Sequence, residues 1–256
     1  EMRHVTGVQT CALPIFIGIG PGSLDEMSIR AKKAIEESEI IVGYTKYIKL
    51  IEPLIEGKEV FSTGMRGELE RVEYALNKSK SKTVSIISTG DAGIYGMAGP
   101  ILEMATNEEV IVIPGITASS SAASLLGAPL MHDNCNISLS DLLTPYEVIK
   151  NRVECAAKGD FIISLYNPKS KGRPHYLKEC LNIIKKYRND NTPIGVVKNA
   201  LREGQEIAVT TIGNFNDDIV DMMSIVVVGN SKSYIKNNKF ITPRGYENKS
   251  KGEVKW

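Results

Sequence analysis

Metal-binding side chains are scarce in this chain of 256 residues, which has three histidines and four cysteines. No two cysteines stand in a C-x-x-C spacing, and none pairs with a histidine at ligand spacing. A zinc or iron–sulfur site built by this chain alone is therefore not expected. Nor is a disulfide framework in a chain of this size, so Cys11, Cys135, Cys155 and Cys180 are read as reduced and mostly buried, as in cytoplasm. A surplus of one charge is missing as well. The formal net charge is +1, so no overall field draws the chain to nucleic acid or to a membrane, and an anionic partner must meet a local cluster. No apolar run reaches the roughly 18 residues of a spanning helix. The first residues lack the basic-then-apolar order of a signal peptide and have no clear period. Residues 1–14 are read as a non-native leader, which sets His4 and Cys11 aside. No solenoid-type repeat and no low-complexity tract interrupts the rest.

What is present suits a globular protein: 42% hydrophobic and 24% charged residues allow a sizeable core in one large or two small domains. Short β-rich runs alternate with helical stretches, which argues for an α/β architecture. Strands are expected at 15–19, 40–42, 83–88 and 110–113, and helices at 25–38, 68–77 and 118–126. The first helix has Met27, Ile29, Ala31, Ala34 and Ile35 as its apolar side and Ser23 or Asp25 as its cap. After 137–139 the pattern shifts. The sequence divides into a first domain over 15–139, a linker over 140–146 and a second domain over 147–246, followed by a tail over 247–256. The second domain has expected strands at 161–165, 194–197, 207–211 and 225–228 and a main helix at 174–187, while the polar stretch from 231 is expected to fray.

Three glycine-bearing loops follow strands of the first domain. Gly18-Ile19-Gly20-Pro21-Gly22 lets a ligand approach the backbone closely. It is not a dinucleotide fingerprint, because Ser23 stands where a third glycine belongs and Pro21 lacks a backbone donor. A simple turn is the alternative. In the second loop, Ser88-Thr89-Gly90-Asp91-Ala92-Gly93-Ile94-Tyr95-Gly96, Asp91 is placed either to accept hydrogen bonds from a ligand or to cap the following helix. The third, Pro114-Gly115-Ile116-Thr117-Ala118-Ser119, enters a helix, with Thr117 as cap or ligand contact. None carries a Walker lysine, so nucleotide phosphates are not the target.

In order and spacing these loops resemble those of the tetrapyrrole methylase family. Residues 126–133 (LGAPLMHD), 137–145 (ISLSDLLTP), 165–173 (LYNPKSKGR), 197–200 (VKNA) and 242–246 (TPRGY) resemble one branch of it, and the likeness runs over about 15–246. The resemblance implies two α/β domains, each a mixed sheet flanked by helices, a homodimer, and S-adenosylmethionine held in the cleft between domains. Carried over by position, Pro21, Thr89, Gly90, Asp91, Ile94, Thr117 and Ala118 line the cofactor site, and Asn167 and Ala200 close it. The implied reaction is methyl transfer to carbon 17 of a corrin precursor, cobalt-free or cobalt-loaded, with ring contraction, in cobalamin synthesis.

Such a transfer requires alignment and proton handling but no covalent nucleophile, and no G-x-S-x-G or Cys/His pair stands out. Asp141 leads as general acid/base, ahead of His132 and Asp133; an Asx turn at Asp141 and a surface His–Asp pair are the structural alternatives. The substrate's many carboxylates call for cations, and Lys169, Lys171, Arg173, Lys198 and Arg202 are the candidates, against the alternative of solvated loops. Three other readings remain: a sister corrin methylase acting on another carbon, a methylase of the same fold acting on RNA or a modified histidine, and a non-catalytic binding protein.

Overall fold

The structure, a computed structural model, describes residues 13–106 and 109–246. His4, Cys11, the leader up to residue 12 and the tail 247–256 lie outside the described residues. The chain forms two compact units, one through Thr117 and the other from Ala118.

The first unit is built on five strands, β1 (Pro14–Gly18), β2 (Ile40–Tyr44), β3 (Glu59–Thr63), β4 (Val84–Ser88) and β5 (Ile111–Ile113). They lie in the order β3-β2-β4-β1-β5, and every pairing is parallel. The helices are α1 (Ile29–Glu37), the short α2 (Thr45–Ile48), α3 (Glu68–Lys78) and α4 (Ala98–Met104). Successive strand residues point to opposite faces. Ile15, Ile17, Ile41 and Ile87 therefore pack with Ala31, Ala34 and Ile35 of α1. Phe16, Ile40, Val42 and Ile86 pack on the other side with Val72 and Ala75 of α3 and Ala98 and Ile101 of α4. Both faces are covered, which explains continuous apolar runs such as IIV at the start of β2.

Local detail departs from expectation at α1. Its cap is Ser28, whose Oγ accepts the Ala31 N–H at 3.1 Å. Ser23 instead caps a preceding 3-10 turn, Leu24–Glu26, accepting from Asp25 at 3.3 Å. Ile29, expected on the apolar side, is 77% exposed, because the helix starts six residues after Ser23 rather than directly behind it. Strand β3 and helix α4 escaped the sequence reading; β3 is an edge strand with mostly exposed side chains and so lacks a buried strand's apolar run.

The second unit contains α5 (Ala118–Leu126), β6 (Gly127–Ala128), β7 (Asn134–Ser138), α6 (Tyr146–Lys158), β8 (Ile162–Tyr166), α7 (Tyr176–Ile184), β9 (Pro193–Lys198), β10 (Glu206–Thr211), β11 (Ser224–Val228), β12 (Tyr234–Lys236) and β13 (Lys239–Ile241). Its main sheet, ordered β10-β9-β11-β8-β7, is mixed. Strands β7, β8 and β9 run one way, while β10 and β11 run the other. Residues of α6 and α7 cover one face, and α5 with Phe240 covers the second. The mixed character expected of both sheets thus belongs to this unit.

The division at Thr117 differs from the expected one at 139. Strand β7 pairs with β8, and α5 packs on the same sheet through Ala122 and Leu126, so hydrogen bonding and burial both attach this stretch to the second unit's sheet. Residues 231–246 do not fray. Asn237 and Asn238, at φ 50 and 57, form the two-residue turn of a β12–β13 hairpin. Strand β13 also pairs with β6, and Phe240 is fully buried. Arg188 ties the unit together: its guanidinium donates to the carbonyls of Ala157 (2.7 Å), Gly229 (3.1 Å) and Phe161 (3.1 Å) and pairs with Asp160 at 3.2 Å. Burial pushes its pKa down, partly opposed by Asp160. No helix among the described residues is long and apolar enough to cross a membrane.

Candidate functional site

The three glycine loops leave the carboxyl ends of β1, β4 and β5, which are neighbours in the order β4-β1-β5. The connection from β1 runs towards β2 on one side, whereas that from β4 passes β1 to reach β5 on the other. Such a reversal is where parallel sheets open a crevice for ligands.

The loops interlock through their backbones. Gly20 and Gly90 exchange hydrogen bonds, Gly20 N–H to Gly90 O at 3.1 Å and Gly90 N–H to Gly20 O at 2.7 Å. A Cβ on Gly18 would stand 2.7 Å from the Gly115 nitrogen and 2.8 Å from the Gly90 oxygen, so only glycine lets the three strand ends meet. Asp91 organises the same place. Its Oδ1 accepts the N–H groups of Gly93 (2.8 Å) and Ile94 (3.2 Å), and its Oδ2 accepts that of Gly115 (3.0 Å). Asp91 therefore caps its own loop and ties it to the next.

Among the sequence candidates, Pro21 is buried, Thr89, Gly90 and Thr117 are half-buried, and Ile94 is exposed on this rim. Ala118 opens α5 in the second unit. Two rim residues escaped the sequence reading. Tyr95 has a left-handed backbone (φ 53) and is 54% exposed, and Ile116 is 38% exposed. The signal was available: an aromatic and a β-branched residue stand among the glycines of these loops.

In the second unit, the carboxyl ends of β7, β8 and β9 share one sheet edge, which carries Asp141, Asn167, Lys169, Lys171, Arg173, Lys198, Ala200 and Arg202 on or just past those ends. Asn167 (φ 50) donates to Ser138 Oγ at 3.0 Å. Ala200 lies in a tight turn closed by the Arg202 N–H to Asn199 O bond at 3.0 Å. Asp141 is held on both oxygens: Arg173 Nε lies 3.6 Å from Oδ1, and the Tyr176 hydroxyl donates to Oδ2 at 2.8 Å. That bond, then burial, raises the Tyr176 pKa. The Arg173 guanidinium also donates to Leu139 O. Tyr176 stacks on Tyr146 with ring centroids 3.7 Å apart.

His132 and Asp133 are not brought to Asp141. They precede β7 and Asp141 follows it, so the strand's length, about 3.3 Å per residue, lies between them. They form an exposed pair, with His132 Nδ1 3.7 Å from Asp133 Oδ2.

The basic cluster is also less free than expected. Lys169 pairs with Asp217 at 3.4 Å, and Lys198 pairs with Glu206 at 3.2 Å and Asp221 at 3.3 Å, which raises the lysine's pKa. Lys171 is exposed. Both lysines are half-buried in these pairs, so a ligand carboxylate must displace their acids to reach them. Cys135 and Cys180 have their thiols pushed up to about 11 by burial, which makes them poor nucleophiles; Cys155, contrary to expectation, is exposed. A surface cavity of about 310 Å³, lined by Asn189, Thr211 and Tyr234 among others, lies at the opposite sheet edge.

The chain was compared with known proteins. A family model described as Tetrapyrrole (Corrin/Porphyrin) Methylases matches residues 15–216. A Salmonella typhimurium protein named "Probable cobalt-factor III C(17)-methyltransferase" is 48% identical over 235 residues, covering 90% of this chain and 98% of that protein. The cobalt-factor III methyltransferase of Priestia megaterium is 46% identical over 244 residues, which is 92% of this chain but 45% of that longer protein. The crystal structure of the methyltransferase CobJ superposes with a TM-score of 0.85 at 34% identity, covering 90% of this chain and 99% of that one.

Proposed function

Because this chain belongs to the tetrapyrrole (corrin/porphyrin) methylases, we propose that it methylates carbon 17 of a corrin precursor, with contraction of the ring, using S-adenosylmethionine. The observation that carries this reading is the interlock of Gly18, Gly20, Gly90, Asp91 and Gly115 at three adjacent strand ends. It makes a cradle of main chain tied by the Asp91 carboxylate, rimmed by the exposed apolar residues Ile94, Tyr95 and Ile116. A main-chain cradle with an apolar rim fits a cofactor that offers a flat adenine and a sulfonium and has no phosphates to hold.

When bound, the cofactor supplies a methyl group already activated on a sulfonium sulfur. The chain's part is orientation and proton handling. Rigid loops, tied by Asp91, hold the cradle in one geometry, and alignment of this kind lowers a barrier by several kcal/mol. Asp141 is the acid/base candidate of this reading, oriented by Tyr176 and Arg173 as a working base must be. His132 and Asp133, at the other end of β7, have no step in it. Lys171, and Lys169, Lys198 and Arg202 by exchange of partners, meet the substrate's carboxylates. The cobalt-loaded ring is the substrate form this reading takes, since the relatives at 48% and 46% identity both carry cobalt-factor III in their names. A homodimer belongs to the same reading, and sedimentation tests it.

The deciding experiment has two stages. Calorimetry with S-adenosylmethionine should show one site per chain. Incubation with methyl-labelled cofactor and cobalt-factor III should then give a product with label at carbon 17, read by mass spectrometry and NMR. Label at another ring carbon, or no uptake of the cofactor, overturns the reading.

A further inference from the structure

Leu142 and Leu143 are adjacent and stand 75% and 92% exposed, between β7 and α6. Two neighbouring leucines in water are unusual on a segment that is otherwise so firmly held. Before them, the Leu139 N–H donates to Tyr166 O at 2.9 Å, and the Leu139 carbonyl accepts from Arg173. Beside them, Asp141 is gripped by Arg173 and Tyr176. After them, the chain enters α6 at Tyr146, whose ring stacks on Tyr176. The leucines thus sit at the tip of a braced loop.

The tip lies at the sheet edge formed by the carboxyl ends of β7, β8 and β9. Its brace, Arg173, belongs to the same loop as exposed Lys171. Lys171 stands two residues from that brace, so loops tied to each other carry an apolar surface and a cation. We propose that Leu142 and Leu143 form a platform for one face of the flat macrocycle, with the Lys171 ammonium meeting a peripheral carboxylate. This rests on the tetrapyrrole reading above. The pairing of charge with apolar surface selects this occupant, because a ring with an apolar face and an acidic rim needs both from one patch. A braced tip loses little conformational freedom on binding, so its contact is retained as affinity.

The test compares wild type, Leu142→Ser/Leu143→Ser and Lys171→Ala. Fluorescence titration with uroporphyrin I, a planar carboxylated ring, measures binding, and turnover of cobalt-factor III gives KM. The double variant should weaken uroporphyrin binding and raise KM by about tenfold or more, the scale of losing two apolar contacts. The affinity for S-adenosylmethionine and the melting temperature should not move. Lys171→Ala should raise KM less, and Lys171→Arg should restore it. Unchanged uroporphyrin binding and KM in the double variant overturn the proposal. So does a change in sedimentation on removing the leucines, which would make them a self-association surface. Leucine-dependent porphyrin binding without methylation by the wild type would leave the platform standing and remove the proposed reaction. Methylation insensitive to the leucines would do the reverse.

Discussion

Asp91 Oδ2 accepts the Gly115 N–H at 3.0 Å, joining residues 24 apart in sequence and tying the loop after β4 to the loop after β5. The other carboxylate oxygen holds Gly93 and Ile94. Replacement by alanine leaves these backbone donors without their acceptor. Asp91→Ala should lower stability by about 1–3 kcal/mol in a denaturant melt and weaken S-adenosylmethionine binding roughly tenfold through loss of preorganisation. Asp91→Asn keeps one acceptor oxygen but turns an amide towards one set of donors, and should fall between the two in calorimetry.

Gly18 and Gly115 meet with backbone against backbone, and a Cβ on Gly115 would stand 2.6 Å from the Gly18 oxygen. The obstacle is main chain and cannot rotate away. Gly115→Ala should cost about 1–3 kcal/mol and disturb the cradle, seen as a lower melting temperature together with weaker cofactor binding. Gly57→Ser, at a glycine with φ 75 and nothing within 4 Å, is the contrast: it is strained but remote, and should lower stability alone.

Asp141 and Tyr176 separate two roles. Tyr176→Phe removes one of the carboxylate's two orienting contacts. If Asp141 handles a proton, Asp141→Asn should lower kcat by about 100-fold or more, and Tyr176→Phe should lower kcat to a smaller extent. Substrate KM should rise less than kcat falls in either, through the loop these residues brace. A rise in KM with kcat intact would assign Asp141 to the loop brace alone.

Arg188 satisfies the carbonyls of Ala157, Phe161, Tyr187 and Gly229 and one carboxylate, with its side chain only 2% exposed. Arg188→Lys cannot reach all of them, and Arg188→Ala leaves each unpaired. The alanine variant should lose about 3 kcal/mol or more in thermal or urea unfolding, without any specific effect on cofactor affinity in protein that remains folded.

Lys82, together with Tyr74, hydrogen-bonds Glu59 and holds its carboxyl down to about 2 from the usual 4.5. A carboxylate lowered in the folded state adds stability above the unfolded value, and that stability is lost as pH falls through the folded one. The wild-type advantage in melting temperature over Glu59→Gln should therefore be full above about pH 5 and shrink from there towards pH 2. Because the pair is exposed, added salt should narrow the gap as well.

Local rules explain what the sequence determined by itself. Apolar runs ending in glycine, at Gly18, Thr89-Gly90 and Pro114-Gly115, mark buried strands that turn sharply at their ends, and the α/β class follows from their alternation with helices. The tertiary structure alone decided which ends are neighbours, since the order β4-β1-β5 is a matter of pairing between distant segments. It alone moved 118–139 to the second unit, through the β7–β8 ladder. It also gave Lys169, Arg173 and Lys198 their carboxylate partners and put the length of β7 between His132 and Asp141. A residue's type and local spacing reveal its chemistry, but its partner is set by contacts across dozens of residues, where no sequence period reaches.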